Sequence, residues 1–135
     1  MFIKEITPEE TWPIRQLVMW PQKPIEFVKI KGDESALHYG LYIDNRLTSV
    51  VSCFEIDNEI QFRKFATLSD KQNNGFGTTL LNYIIRESRS KGIKKLWCNS
   101  RMNKAKYYEK FGLVKTDTVY LKDGIEFIIM ELKFD

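Results

Sequence analysis

The stretch Gln72-Asn73-Asn74-Gly75-Phe76-Gly77-Thr78 decides the fold. Before it, Glu59 to Leu68 is a run rich in aromatic and alternating apolar residues, the pattern of a strand. After it, Phe76, Leu80, Leu81, Ile84 and Ile85 fall on one apolar stripe at helical spacing. A strand therefore gives way to a helix across a polar loop that holds two glycines. The first turn of a helix leaves backbone N–H groups unpaired, and the helix dipole adds partial positive charge there. Glycine lets such a backbone approach a bulky ligand without a Cβ in the way. Together these features predict a cradle for a phosphate or pyrophosphate. The P-loop pattern requires Lys after the second glycine, but Gly77 is followed by Thr78, which disfavours nucleoside triphosphate hydrolysis. The dinucleotide fingerprint requires a third glycine where Leu80 stands, so it fails too.

Upstream, residues 2–6 form a short strand candidate. Thr7-Pro8-Glu9-Glu10 matches a capping box, which starts a helix to about Trp20. Pro13 predicts a kink or a restart near Thr11, and Pro21 and Pro24 end the helix. Residues 21–36 read as a loop or short irregular helix. Three strands follow, 37–43, 46–56 and 59–68, joined by Asp44-Asn45 and Asp57-Asn58, pairs that tolerate the positive φ of tight hairpins. Downstream of the central helix, Gly92 stands at its C-terminal end, with Arg86, Arg89 and Lys91 in the last turns. Then come a short strand 93–99, a short helix 103–110, and a final hairpin, 113–121 and 125–134, about Lys122-Asp123-Gly124. The motifs use nearly all of residues 1–135, so one domain is expected.

Composition narrows the function class. The 135 residues carry 21 Lys+Arg and 18 Asp+Glu, a net charge of +3, too weak and unclustered for a nucleic-acid reader. One His makes a His-rich metal site untenable, and no metal is expected. No apolar run approaches the length of a membrane span, and the start, MFIKEITPEE, lacks a secretory h-region. Cys53 and Cys98 sit among apolar neighbours and read as buried, reduced thiols of a cytoplasmic protein.

The pattern Gln72-x-x-Gly75-x-Gly77 resembles the acyl-CoA pyrophosphate loop of the GNAT superfamily of acetyl-CoA-dependent N-acetyltransferases. In that superfamily the loop follows the fourth strand of an antiparallel meander and opens the next helix. A fifth strand and a short helix come next, the helix commonly ending in a Tyr-Glu-Lys-x-Gly-Phe-like segment before a terminal hairpin. Tyr107-Tyr108-Glu109-Lys110-Phe111-Gly112-Leu113 is similar to that segment, with Leu113 in place of the last aromatic. Lys104 departs from the small residue usual four positions before the family's Tyr, and Ala105 follows it. The resemblance covers essentially the whole chain. It implies an α/β (α+β) fold: a central mixed, mostly antiparallel sheet of about seven strands flanked by helices, with strands four and five splayed.

The resemblance further implies acetyl-CoA as acyl donor, bound where those strands part. Backbone N–H groups of Gln72, Asn73, Asn74, Gly75, Phe76, Gly77 and Thr78 would hold the pyrophosphate. The strand from Lys64 to Leu68 would pair with the amide-rich pantetheine arm as an added strand does. A backbone N–H of Phe65, Ala66 or Thr67 would face the thioester carbonyl and stabilise its oxyanion. Tyr108 matches the family's general acid, with Tyr107 as the backup; packing against Ala105 and Phe111 is the other reading. Asn103 matches a cofactor contact, or serves only as an N-cap. The base is not identified: His38, Glu55 and Glu59 lie on the meander, each also readable as a structural or solvated residue, and a water chain would serve equally. Arg63 and Lys64 either steer an acidic group or sit on a solvated edge. The acceptor, a small-molecule or protein amine, would sit over the splayed strands, walled by the first helix, residues 21–36 and the terminal hairpin. Trp12, Trp20 and Phe27 either line that wall or pack in the interior. No nucleic-acid or membrane partner is expected, and the chain would act as a monomer or homodimer. The alternative is a non-catalytic acyl-CoA-binding sensor or interaction module on the same fold, which would not need Tyr108.

Overall fold

In the computed structural model, which describes residues 1–135, strand β1 (Phe2–Ile6) leads into helix α1 (Pro8–Met19) through the capping box. The Glu10 N–H donates to Thr7 Oγ1 at 3.2 Å, and the Thr7 N–H donates to the Glu10 carboxylate at 2.9 Å. Two donors that helix geometry would leave unpaired are thereby satisfied. Of the kink or restart expected near Thr11, the restart does not occur: α1 runs from Pro8 to Met19 through Pro13. Pro13 forfeits one intrahelical hydrogen bond. Buried Thr11, Ile14 and Arg15 hold the turns on either side, and Thr11 Oγ1 donates to the Pro8 carbonyl at 2.6 Å. Residues 21–36 contain two short 3-10 turns, Ile25–Val28 and Asp33–Ser35.

The meander is β2 (Leu37–Ile43), β3 (Arg46–Ile56) and β4 (Glu59–Thr67). Its turns are as expected: Asp44 and Asn45 have φ of 49° and 63°, and Asp57 and Asn58 have 53° and 65°. Paired left-handed residues match the right-handed twist of the flanking strands. Helix α2 (Phe76–Ser90) ends at Gly92, whose φ of 74° lets the Ile93 N–H return to the Ser88 carbonyl at 3.1 Å. That cap consumes Ile93, and the Lys94 N–H bonds the Asn58 carbonyl, so β5 spans Lys95–Arg101, two residues later than expected. A 3-10 turn at Met102–Lys104 precedes α3 (Ala105–Glu109), and β6 (Val114–Lys122) and β7 (Ile125–Lys133) form the final hairpin.

The seven strands follow the order β1-β2-β3-β4-β5-β7-β6. β4 and β5 pair in parallel, as a crossover through α2 requires, while β1–β2, β2–β3, β5–β7 and β6–β7 are antiparallel. By its internal contacts the chain divides into two units, Met1–Phe54 with Phe62–Ile84, and Glu55–Gln61 with Ile85–Asp135. In the first, Ile6, Ile14, Val50, Ala66 and Leu68 form a core against Val18, Met19, Tyr42 and Leu47. In the second, Ile60, Ile93, Leu96, Cys98, Ala105, Leu113, Ile128 and Met130 are buried. No helix is long and apolar enough to cross a membrane.

Candidate active site

The β4–β5 ladder is short: Glu59, Ile60 and Gln61 pair with Lys95, Leu96 and Trp97. Beyond it β4 continues to Thr67, paired no further with β5, and β5 continues to Arg101 beside β7. Just past that point Lys64 adopts φ 53°, inside a strand, where a non-glycine residue costs of order 1–3 kcal/mol. The contacts identify a β-bulge. The Phe62 and Phe65 rings meet edge to face at 6.5 Å, although residues three apart in a straight strand point to opposite faces. On the other face, the Arg63 guanidinium lies 5.6 Å over the Phe54 ring and Ala66 joins the Ile14–Val50 core. One extra residue has switched the parity of the strand. Sequence pattern alone does not reveal it, because Lys gives no hint of a left-handed backbone.

The bulge sets which amides are free to work. The Ala66 carbonyl accepts from Ser49 Oγ at 3.1 Å and the Leu68 N–H donates to the Thr48 carbonyl at 2.9 Å, so both face β3. Strand alternation then turns the N–H groups of Phe65 and Thr67 to the opposite edge. Of the three donors expected at Phe65, Ala66 and Thr67, Ala66 is directed into the sheet.

The loop after β4 folds on its own side chains. The Gln72 amide donates to the Thr67 carbonyl at 3.0 Å, and the Asn74 amide donates to the carbonyls of Lys71 and Gln72 at 3.2 and 3.1 Å. Asn73 and Gly75 take φ of 65° and 78°. A Cβ at Gly75 would meet nothing within 4 Å, so backbone conformation rather than crowding reserves that position for glycine. α2 opens at Phe76, which places Gly77 in its first turn rather than in the loop. Its earliest backbone bond runs from the Thr79 N–H to the Gly75 carbonyl at 3.0 Å. The N–H groups of Phe76, Gly77 and Thr78 precede that bond and have no acceptor within the helix.

The second unit carries Tyr108 on α3. Burial, with smaller contributions from Cys98 and Tyr107, pushes its phenol pKa above the ordinary value, so it is a protonated donor at neutral pH. Burial likewise pushes the Cys98 thiol up to about 12. Tyr107 packs edge to face on both Tyr108 and Phe111 at 5.3 Å. Asn103 is not the N-cap of α3: that position is Lys104, and Asn103 lies exposed within the preceding 3-10 turn.

Three base candidates separate clearly. His38 is 1% exposed, with Nδ1 2.7 Å from Ser52 Oγ and Nε2 2.8 Å from the Asp33 carbonyl, a fully satisfied interior histidine. Glu59 sits 3.5 Å from Lys95, and Glu55 is exposed. Trp20 and Phe27 do not pack in the interior: they are 41% and 49% exposed and meet edge to face at 5.1 Å.

Sequence reading missed Arg15. It is fully buried, and it occupies the apolar stripe Thr11, Ile14, Arg15, Val18, which is the one signal that could have found it. Its two terminal nitrogens grip both oxygens of Asp33 at 2.8 and 2.9 Å and also reach the Val28 carbonyl at 3.0 Å and Ser52 Oγ at 2.8 Å. Burial pushes the Asp33 carboxyl up, but bonds from Arg15, the Ile30 N–H and Trp12 outweigh it and hold the pKa below its usual value.

The comparisons with known proteins agree with this geometry. The acetyltransferase (GNAT) domain model matches residues 15–134, and the chain belongs to that family. The uncharacterised N-acetyltransferase YitI of Bacillus subtilis is 29% identical over 119 residues, 82% of this chain and 80% of YitI. The crystal structure of the ribosomal-protein-S18-alanine N-acetyltransferase from Escherichia coli superposes with a TM-score of 0.84 at 21% identity, over 98% of this chain and 93% of that one. A GNAT acetyltransferase from Elizabethkingia anophelis, solved with acetyl-CoA bound, gives 0.77 at 19% identity over 98% and 97%. The sheet order, the parallel β4–β5 pair and the family match make this chain an acetyl-CoA-dependent N-acetyltransferase.

Proposed function

We propose that residues 1–135 act as one catalytic domain of the cytoplasm, which moves the acetyl group of acetyl-CoA to a primary amine by direct attack in a ternary complex. The observation that carries this reading is the bulge at Lys64, after which β4 no longer pairs with β5, just before a loop that opens a helix whose first N–H groups have no acceptor within it. The N–H groups from Gln72 to Thr78 hold the pyrophosphate, and those of Phe65 and Thr67 hold the pantetheine arm and the thioester oxygen. Asn103, exposed ahead of α3, adds a contact to the CoA moiety.

In the transfer the amine nitrogen attacks the thioester carbon. Negative charge gathers on the carbonyl oxygen, where a backbone donor stabilises it. The C–S bond then breaks and the sulfur takes the electron pair. A free aliphatic thiol has a pKa near about 8.5. The Tyr108 phenol lies well above that, so Tyr108 stabilises the leaving sulfur first by donating a hydrogen bond. The proton that ends on the sulfur comes ultimately from the attacking nitrogen. No side-chain base is needed for that balance, since water can carry the proton.

The likeness to an enzyme that acetylates the alanine of ribosomal protein S18 supports a protein N-terminal amine among the acceptors. Two measurements test the reading. Acetyl-CoA should raise the melting temperature and ATP should not. CoA should be released in the presence of amines that include a peptide with N-terminal alanine. The absence of stabilisation by any acyl-CoA would sink the donor site, and stabilisation without turnover on a broad amine panel would sink catalysis.

A further inference from the structure

Arg15, Ser52, His38 and Asp33 form a closed ring of hydrogen bonds. His38 Nε2 faces a carbonyl and must donate, so in the neutral imidazole Nδ1 accepts the Ser52 hydroxyl hydrogen. Ser52 Oγ in turn accepts from Arg15, and Arg15 closes the ring on the Asp33 carboxylate. No member can reverse its direction without leaving a buried group unpaired. The ring also fixes three further points: the Val28 carbonyl, the Ile30 N–H and Trp12 Nε1.

The Phe54 ring links this network to β4. His38 meets it edge to face at 6.4 Å, and a Cβ built on Gly32 would lie 3.8 Å from it. The Arg63 guanidinium covers the same ring at 5.6 Å, and Arg63 is the residue before the bulge at Lys64. A continuous set of contacts therefore runs from Asp33 through Phe54 to the strand whose amides would receive the thioester. A buried ion pair adds little net stability compared with well-packed apolar groups, whereas a bidentate guanidinium–carboxylate pair fixes direction.

We propose that Arg15 and Asp33 are positioning residues for acetyl transfer, which hold Val28–Ser35 against Phe54 and thereby set the bulge that aims the Phe65 and Thr67 amides. This rests on the assignment of β4 as the thioester-binding strand. Lysine cannot replace the fork, because it offers one compact charge in place of a planar pair of donors.

The test uses Arg15→Lys, with the isosteric Asp33→Asn as the second variant should the first fail to fold. Amide hydrogen exchange at Ile30 and Ala36 should quicken by about tenfold or more, with a smaller rise at residues 62–67 and none at β6 and β7. Acetyl-CoA affinity should stay within about threefold of the unsubstituted chain, since the cradle lies outside the ring. For any amine that the enzyme turns over, kcat should fall while the KM for acetyl-CoA holds. In Arg15→Ala, millimolar guanidinium should restore the protection and an equal concentration of urea should not. Unchanged exchange at Ile30 and Ala36, a uniform rise through β6 and β7, or no rescue by guanidinium each overturns the proposal. Failure of acetyl-CoA to stabilise the unsubstituted chain would instead refute the donor-site assignment, and the exchange pattern would still judge the ring.

Discussion

The loop at Gln72–Thr78 and the pair Arg15–Asp33 are both polar, and both are built from side chains that satisfy carbonyls or amides. They differ in reach. The loop's side-chain bonds span two, three and five residues, and its donors are exposed. The bonds of Arg15 span 13, 18 and 37 residues and lie in the interior. The exposed site can be exchanged for solvent at small cost and so is free to bind a ligand. The buried one has no such alternative and serves to fix the chain. Loss of acetyl-CoA affinity and loss of stability should therefore separate between them.

The largest effect is expected at Asp33→Ala, which leaves the Arg15 charge buried and unpaired, a loss of about 3–5 kcal/mol. Thermal or urea unfolding reads it, and a loss below about 1 kcal/mol would remove the distinction. The acid limb follows the same pair. Because the Asp33 pKa is lowered on folding, its contribution is complete above the unfolded value of 3.8 and fades as pH falls through the folded one. Asp33→Asn should lose that part of the acid dependence. Gly77→Val should do the reverse of Asp33→Ala. A branched Cβ in the first turn of α2 blocks the pyrophosphate, with a loss of about 100-fold or more in acetyl-CoA affinity and little change in the melting temperature without ligand. Tyr108→Phe should lower kcat by about 10-fold or more and leave both affinity and stability in place. An unchanged kcat would return Tyr108 to packing. Thr7→Ala is the smallest, about 1 kcal/mol in stability with no change in affinity. It shows what a local capping bond is worth when no ligand depends on it.

The same contrast in reach explains what could be read from the sequence. The capping box, the two Asp-Asn turns, the α2 stripe and its Gly92 cap are all written in residues close together, and each formed as expected. So did the element order that led to the family. The restart at Thr11 failed because tertiary packing of Ile14 and Arg15 overrode the local effect of Pro13. The start of β5 slipped because a helix cap and a bond to Asn58 took the residues before it. The bulge at Lys64 was invisible, since lysine is not a residue type that marks a left-handed backbone. His38 was a base candidate through its place on the meander, but its partners at Asp33 and Ser52 exist only once the 3-10 turns and the sheet have met.

Asn74-Gly75 adds a chemical clock to the loop. Asparagine before glycine is the sequence most prone to deamidation, because the following amide nitrogen can close on the side-chain carbonyl with no Cβ to hinder it. Asn74 spends its side-chain amide as a donor to two carbonyls of the loop. Conversion to aspartate or isoaspartate would turn that donor into a negative acceptor, repelled by those carbonyls and by any bound pyrophosphate. Aged preparations should thus lose acetyl-CoA affinity while keeping their fold, and the lost fraction should track the deamidated one by mass.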